Sequence, residues 1–250
     1  MWDNAILLRN IANTLLAFSA LAMLYGAIHY AVHLPGLLPL HSVRLSAAPQ
    51  RVIAEEVLQA VRGEVNGNFF TVDIERLRQS LEKLPWVRSV SIRREFPDRL
   101  VVALEEHQAL GRWNGVALVN TYGEVFDAVS EEQLPEFIGQ EDDSFEVAQR
   151  YGEFRQQLAA LNLQVAQLAL SPRHAWQLRL SSGMALELGR EEMQQRLARF
   201  VAVYPYSLAT QRTEDGGRKT EGAVAYVDLR YRNGFAIRRM AEDRKLGAES

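Results

Sequence analysis

The chain begins with one long apolar stretch, and shorter periodic segments follow it. Residues 11–32 contain no Asp, Glu, Lys or Arg. As an α-helix this stretch would be about 33 Å long, which is enough to cross the hydrocarbon core of a bilayer. Tyr25 and Tyr30 lie near its far end, and such aromatic side chains favour membrane interfaces. The pattern predicts a transmembrane helix over residues 11–32, preceded by a short tail over residues 1–10.

A cleaved signal peptide is the alternative interpretation of this stretch. Ala20-Leu21-Ala22 resembles a small-residue cleavage site, but the apolar run continues past it to Val32, which favours an uncleaved anchor. Pro35 and Gly36 then interrupt any helix, so residues 33–40 are expected to form a short linker. Arginines lie on both sides of the span, so the charge bias does not settle its orientation.

Residues 41–107 show a strand–helix–helix–strand–strand order. A short alternating strand at residues 43–45 precedes two segments whose apolar positions recur at spacings of three and four. Asp73 can cap the second of these helices. Alternating strands then flank the turn Phe96-Pro97-Asp98. The order predicts two helices packed on one face of a small sheet.

Residues 108–239 predict a mostly antiparallel sheet with two helices. Asn114-Gly115 between alternating segments is a strong hairpin signal, because both residues tolerate positive φ. Residues 145–161 have the apolar spacing of an amphipathic helix, and a second helix is expected to end at Pro205. Further strands are expected over the following segments: 165–170, 176–180, 184–188, 223–231 and 235–237.

Two other segments show no regular pattern. Residues 211–222 are polar and contain glycine, so they predict a loop. Residues 240–250 predict a disordered tail.

Several stretches in this order resemble the FtsQ/DivIB family of bacterial cell division proteins. In the first unit they are Gly67-Asn68-Phe69-Phe70-Thr71-Val72-Asp73, Leu84-Pro85-Trp86-Val87 and Arg94-Glu95-Phe96-Pro97. In the second unit they are Trp176-Gln177-Leu178-Arg179-Leu180 and Val227-Asp228-Leu229-Arg230-Tyr231, followed by Gly234. The resemblance implies an α+β protein with one transmembrane helix, a β-α-α-β-β POTRA domain over 41–107 and a β-domain over 108–239.

Composition narrows the possible functions. The chain is 48% hydrophobic and 24% charged with a net charge of −3, which is typical of a folded protein. A strong nucleic-acid binder usually carries a basic excess, so nucleic acid is not an expected partner. The chain has no cysteine, which excludes disulfides, thiolate zinc sites and a cysteine nucleophile.

Motifs for catalysis are weak. Ser80 and Lys83 fit the S-x-x-K pattern of penicillin-recognising enzymes, but neither an S-D-N nor a K-T-G companion exists. Residues 216–220 lack the first glycine of a phosphate-binding loop, and the five histidines show no metal-binding spacing. We therefore expect no catalytic residue, no metal, no cofactor, no small-molecule substrate and no enzymatic activity.

The resemblance implies a scaffold function in the division complex. It places the chain in the bacterial inner membrane at the division septum, contacting membrane lipid, with the tail at 1–10 in the cytoplasm and the folded body in the periplasm. It implies that the end of the β-domain binds the coiled-coil division proteins FtsB and FtsL, and that the POTRA domain contacts other division proteins. A strand at a sheet edge can bind an extended partner by adding it as the next strand.

By position in the matching stretch, five residues are expected to bind the partner: Arg230, Tyr231, Gly234, Phe235 and Ala236. Tyr and Arg are enriched at interface hot spots. The alternative for Tyr231 is that it only fills the core.

Two other functional classes remain open at this point. One is an outer-membrane biogenesis or secretion protein with a POTRA domain. The other is a membrane-anchored cell-wall enzyme that would use Ser80.

Overall fold

The computed structural model describes residues 5–34, 39–40, 42–65, 67–207, 224–232 and 234–239. The chain divides into two compact units, Met1–His107 and Gln108–Ser250. The predicted loop at residues 211–222 and the predicted tail at 240–250 lie outside the described residues.

The first helix, α1, spans Ala5–Val32, and none of its residues is buried. It is long and apolar enough to cross a membrane. It begins before the predicted residue 11, because no glycine or proline at residues 5–10 interrupts the helix and Arg9 is a good helix former. At 1.5 Å per residue it is about 42 Å long, so its ends reach beyond a hydrocarbon core of about 30 Å.

The rest of the first unit is a three-stranded sheet with two helices. The sheet order is β1-β3-β2, with β1 parallel to β3 and β2 antiparallel to it. This order of elements confirms the predicted fold of the unit. The elements are β1 Ser42–Leu45, α2 Ala54–Glu64, α3 Ile74–Glu82, β2 Val87–Glu95 and β3 Arg99–Glu106.

Both helices of this unit begin where a carboxylate binds backbone N–H groups. Asp73 accepts a hydrogen bond from the N–H of Arg76 at 3.0 Å, as a capping residue should. Ahead of α2, the carboxylate of Glu106 accepts the N–H groups of Gln50, Arg51 and Val52 at 2.9–3.1 Å. Because these amides are bound to Glu106, α2 begins after them, at Ala54.

The core of the first unit lies between the helices and the sheet. Helices α2 and α3 each contribute two buried aliphatic side chains, and strand β3 contributes residues at alternate positions. These side chains are Val57, Val61, Leu77, Leu81, Leu100 and Val102.

The second unit is a nine-stranded mixed sheet with two helices. The strand order is β12-β11-β10-β9-β8-β7-β4-β5-β6. The first four strands in sequence are β4 Ala109–Trp113, β5 Ala117–Asn120, β6 Val125–Phe126 and β7 Glu136–Ile138. The later strands are β8 Val165–Leu170, β9 Trp176–Leu180, β10 Ala185–Gly189, β11 Val224–Asp228 and β12 Ala236–Arg239. The helices are α4 Ser144–Ala159 and α5 Met193–Ser207, with a 3-10 turn at Glu141–Asp143.

Most neighbouring strands are antiparallel, as predicted, and three pairs are parallel. The parallel pairs are β4–β7, β7–β8 and β10–β11. Helix α4 connects β7 to β8, and α5 lies between β10 and β11, because parallel neighbours need a crossover connection. Strand β7 was not predicted, since its three residues after Pro135 are too few to show a strand period.

The predicted turn at Asn114-Gly115 and the predicted helix end at Pro205 have different outcomes. Asn114 and Gly115 have φ of 50° and 74°, which confirms the predicted hairpin. Pro205 was predicted to end its helix, but α5 continues to Ser207. A proline removes one backbone hydrogen bond, yet the residues that follow it can keep helical angles in the last turn.

The core of the second unit joins both helices to the sheet. Phe154 of α4 packs edge-on against Trp176 of β9, with ring centroids 5.9 Å apart. Phe200 of α5 is fully enclosed in the same cluster, which also includes Val227 and Leu229. The chain around β11 is therefore anchored in the core, and this fixes the position of the strand that follows it.

Candidate functional site

Strand β12 forms one edge of the nine-stranded sheet. It pairs with β11 in antiparallel register, Asp228 opposite Ala236 and Val227 opposite Ile237. All four residues of β12 are exposed. Across the described part of the second unit, no other strand pairs with its outer side. A row of backbone N–H and C=O groups therefore faces outward, as at other free sheet edges.

The two strands predicted near the end of the β-domain, β11 and β12, have different positions in the sheet. β11 lies between β10 and β12, so both its sides are paired. The predicted strand over residues 223–231 ends at Asp228, and Ala223 lies outside the described residues. The predicted site residues Arg230 and Tyr231 thus belong to the connection between the strands.

Arg230 is held by a carboxylate two residues earlier. Its Nε donates to Oδ1 of Asp228 at 2.9 Å and its Nη2 to Oδ2 at 2.7 Å. The Arg230 N–H also donates to Oδ1 at 3.0 Å. Asp228 is 6% exposed, whereas the Arg230 side chain is 56% exposed. A buried carboxylate therefore fixes a guanidinium that still faces solvent, and the hydrogen bonds from Arg230 hold the pKa of Asp228 below its usual range.

A second carboxylate lies beside this pair. Glu187 of β10 is in register with Asp228 of β11. Burial raises the pKa of Glu187, and the neighbouring Asp228 carboxylate adds to that effect while Arg230 opposes it. Burial likewise raises the pKa of the Tyr226 phenol, which packs under the guanidinium of Arg238 on β12. The site thus combines paired charges with a half-buried aromatic ring.

The connection between β11 and β12 is clamped by helix α5. Arg199 donates from Nη2 to the carbonyl of Tyr231 at 3.3 Å and from Nη1 to the carbonyl of Arg232. Tyr231 itself is 58% exposed. The backbone is therefore held while the phenol ring stays accessible, which excludes the alternative that Tyr231 only fills the core.

The remaining predicted residues lie next to the start of β12. Gly234 is exposed, and a Cβ added there would meet nothing within 4 Å. Ala236 is exposed on the edge strand, and Phe235 is half-buried against the core. Phe235 and Gly234 also line a cavity of about 330 Å³ between this segment and α5. The other side chains lining this cavity are those of Arg196, Arg199, Ala202, Val203, Leu229 and Arg232.

A second depression on the surface is strongly basic. Arg230 borders it with three further arginines and one acid: Arg173, Arg190, Arg196 and Glu191. Gly189 lies at its base with φ of +72°, and a Cβ there would come within 3.1 Å of the Arg230 stem. The surface beside the strand edge therefore favours acidic groups.

The structure brings the five predicted residues together and adds others that sequence reasoning missed. Arg196 and Arg199 share a helix with Leu197 and Phe200 of the core, and nothing in their spacing distinguishes them from other solvated charges. Asp228 had a signal in the sequence, because it lies two positions before Arg230 in the predicted strand over residues 223–231, where alternate residues would share one face.

The candidate nucleophile Ser80 and the histidines were also weighed in the sequence as possible sites. Ser80 Oγ lies 3.5 Å from a carboxylate oxygen of Glu64. Among the described residues, no three His, Asp or Glu side chains come together as a metal site requires.

Residues 38–107 match the family described as "POTRA domain, FtsQ-type", and residues 111–230 match "Cell division protein FtsQ/DivIB, C-terminal". The second match includes Arg230 and ends there, before Tyr231.

Relatives that align over most of the chain agree with these matches. "Cell division protein FtsQ" of Nitrosospira multiformis is 40% identical over 95% of this chain and 99% of its own length. Proteins of the same name from Burkholderia pseudomallei and Escherichia coli are 38% and 35% identical, over 95% and 80% of this chain and 94% and 72% of their own lengths.

The fold and these matches define a membrane-anchored cell division protein with a POTRA domain. The chain belongs to the FtsQ/DivIB family. The predicted family and the predicted α+β fold class are confirmed.

Proposed function

We propose that the chain is a non-catalytic scaffold that binds an FtsB/FtsL-type coiled-coil complex along strand β12. One observation carries this proposal: β12 is an exposed edge strand whose neighbouring connection displays Tyr231 and Arg230. A partner segment would add as the next antiparallel or parallel strand and gain main-chain hydrogen bonds. The partner's side chains would meet the tyrosine and the basic surface.

Charge and shape further restrict the partner segment. The depression beside Arg230 has four arginines and one glutamate along its border, so an acidic residue of the partner would be attracted to it. Phe235 and Leu229 give the neighbouring cavity an apolar floor. The segment that fits is extended, carries at least one carboxylate, and places an apolar side chain near Phe235.

The remaining parts of the chain have supporting functions in this proposal. Helix α1 anchors the protein in the inner membrane, residues before it lie in the cytoplasm, and both folded units lie in the periplasm at the division septum. The three-stranded unit contacts further division proteins. The relatives are named as cell division proteins, and their sequences cover this arrangement almost end to end.

The test compares two exposed tyrosines. Tyr231 is 58% exposed beside β12, and Tyr206 is 85% exposed at the end of α5. The full chain and its Tyr231→Ala and Tyr206→Ala variants are reconstituted with the FtsB and FtsL of the same cell, and the dissociation constant is measured. We expect Tyr231→Ala to weaken binding at least tenfold, about 1.4 kcal/mol, and Tyr206→Ala to leave it unchanged.

Hydrogen exchange tests the mode of binding separately. Strand addition predicts slower amide exchange at residues 236–239 in the complex, because new main-chain hydrogen bonds form there. Tight binding with unchanged exchange across β12 would refute strand addition. In cells depleted of the native protein, Tyr206→Ala should restore division, whereas Tyr231→Ala should leave long filaments.

A further inference from the structure

We propose that the three-stranded unit inserts an aromatic cluster, formed by Phe69, Phe70 and Phe96, into the surface of the bilayer that α1 crosses. The lipid is the partner at this surface, independently of any protein that binds β12. The inference depends on where one buried amide places this cluster.

Asn68 connects the end of α1 to the folded unit. Its side-chain Nδ2 donates to the carbonyls of Val32 and Leu34 at 2.6 and 3.1 Å. Val32 is the last residue of α1. Asn68 is 1% exposed, so this contact is a fixed part of the unit. The loop that carries Asn68 therefore lies directly at the end of the apolar helix.

The same loop is held rigid by its own hydrogen bonds. Oδ1 of Asn68 accepts from the N–H groups of Phe70 and Thr71 at 2.9 and 3.0 Å. Gly67 has φ of +106°, and a Cβ there would collide with Thr71 Oγ1 at 2.6 Å. The guanidinium of Arg94 on β2 donates to the carbonyls of Phe69 and Val72, both at 2.9 Å. The position of Phe69 and Phe70 is therefore set from both sides.

The three phenylalanines form one cluster. The Phe69 ring lies edge-on to Phe70 at 5.3 Å and to Phe96 at 6.3 Å between centroids. Phe69 is buried, but Phe70 is 45% exposed and Phe96 is 74% exposed. Two large apolar rings of the cluster therefore face outward, outside the aliphatic core that the two helices form with the sheet.

The height of the cluster matches the membrane surface. Helix α1 is about 42 Å long, whereas a hydrocarbon core is about 30 Å thick, so Val32 lies at the interfacial region. Aromatic rings at that depth gain free energy by leaving water for the headgroup and acyl boundary. Exposed rings at the far end of the unit would face water and would not gain this free energy.

The contact is expected to be apolar and not electrostatic. The adjoining ends of β2 and β3, with the turn between them, carry Arg94 and Arg99 but also Glu95 and Asp98. Arg94 is bound to backbone carbonyls, and Arg99 lies 3.8 Å from Asp98. The contact should therefore persist with uncharged lipid and at high salt, where exposed charges are screened.

The chain has no cysteine, which permits clean single-site labelling. The variants Phe70→Cys, Phe96→Cys and Gln50→Cys are each labelled with an environment-sensitive NBD fluorophore. Gln50 is the matched control, because it is exposed and its N–H is bound to Glu106 at the other end of β3. From Arg99 to Glu106 that strand spans about 23 Å. The full chain is placed in phosphatidylcholine nanodiscs without any partner protein.

Quenching by a lipid with a nitroxide at the headgroup or the upper acyl chain is then measured. We expect labels at positions 70 and 96 to be quenched several-fold more than the label at position 50, and their emission to shift to the blue. The difference should remain in high salt. Equal quenching at the three positions would overturn the proposal, and so would quenching that appears only with anionic lipid and disappears in salt. Thermal unfolding of each variant shows that the unit is folded, and the Phe70 label provides the result alone if Phe96→Cys disturbs the turn.

Discussion

The guanidinium of Arg230 and the carboxylate of Asp228 form a two-pronged ion pair with N–O distances of 2.9 and 2.7 Å. One partner is buried and the other is mostly exposed, so the pair presents a fixed positive group beside the free edge of the sheet. The attraction between the two charges adds little to stability, because the exposed arginine is well solvated. The main effect of the pair is to fix the position of the guanidinium.

Replacing Asp228 should affect both stability and binding. Asp228→Asn removes the charge and leaves part of a buried polar group without its partner, so we expect the free energy of unfolding to fall by about 1–2 kcal/mol. Partner affinity should fall as well, because Arg230 is released. Denaturant unfolding and a binding titration measure the two effects. An unchanged affinity would mean that the orientation of Arg230 has no function.

The same pair predicts a pH dependence. The pKa of Asp228 is lower in the folded chain than in the unfolded chain. Its stabilising contribution is therefore complete above the unfolded pKa of about 3.9 and is lost as the pH falls through the lower folded value. Between wild type and Asp228→Asn, the difference in unfolding free energy should shrink below pH 4. A difference that stays constant into strong acid would contradict this assignment.

Replacing two glycines near the site by alanine should change stability to different extents. Gly189 has φ of +72°, and a Cβ there would come within 2.8 Å of Arg196 Nη1 and 3.1 Å of Arg230 Cγ. Gly189→Ala should therefore lower stability by about 1–2 kcal/mol. Gly234 has open space around a new Cβ, so Gly234→Ala should change stability by less than about 0.5 kcal/mol. If a partner backbone approaches Gly234 closely, this variant should still bind more weakly. Thermal unfolding and titration separate the two effects, and full affinity in Gly234→Ala would remove this residue from the proposed site.

Arg199 should act by holding the connection between β11 and β12. It donates to the carbonyls of Tyr231 and Arg232. Arg199→Ala should loosen this connection and lower stability by roughly 1 kcal/mol, with faster amide exchange in β12.

Arg199→Lys provides the matched control for that variant. Lysine keeps the charge but lacks the planar fork that reaches two carbonyls. Compared with Arg199→Ala, Arg199→Lys should therefore recover the lost stability and the slow amide exchange of β12 only in part. Full restoration by lysine would show that charge matters here and the two-carbonyl geometry does not.

Glu106 should stabilise the first unit through the segment before α2. Burial would raise its pKa, but the N–H groups of Val52, Arg51 and Gln50 together bring that pKa below its ordinary value. Glu106→Gln should therefore lower the unfolding free energy by about 1 kcal/mol at neutral pH. The loss should disappear as the pH falls through the lowered pKa, below about 4.3, because the wild-type carboxyl is then also uncharged.

The neighbouring Glu105 is the control for this prediction. It pairs with Arg88 and Ser89 on the sheet surface, and its side chain is 47% exposed. Glu105→Gln should change stability by less than about 0.5 kcal/mol. An equal loss of unfolding free energy in the two variants would contradict the proposed stabilising effect of Glu106.

Sequence by itself determined the elements whose apolar periods are long. The span ending at Val32, the helix capped by Asp73 and the alternating strand at Trp176 follow from local chemistry, since period, cap and turn residues act over a few positions. The family resemblance came from such local stretches too, and it placed the five site residues in one neighbourhood.

Only the tertiary structure decided which strand lies at the sheet edge beside the five predicted site residues. Glu136–Ile138 is too short to show a period, and its place between β4 and β8 depends on contacts far away in sequence. The parallel pairing of β11 with β10 depends on α5 packing Phe200 into the core, and it leaves β12 outermost with Arg199 against the preceding turn. Strand order is set by burial between distant segments, and a linear pattern of apolar positions does not contain that information.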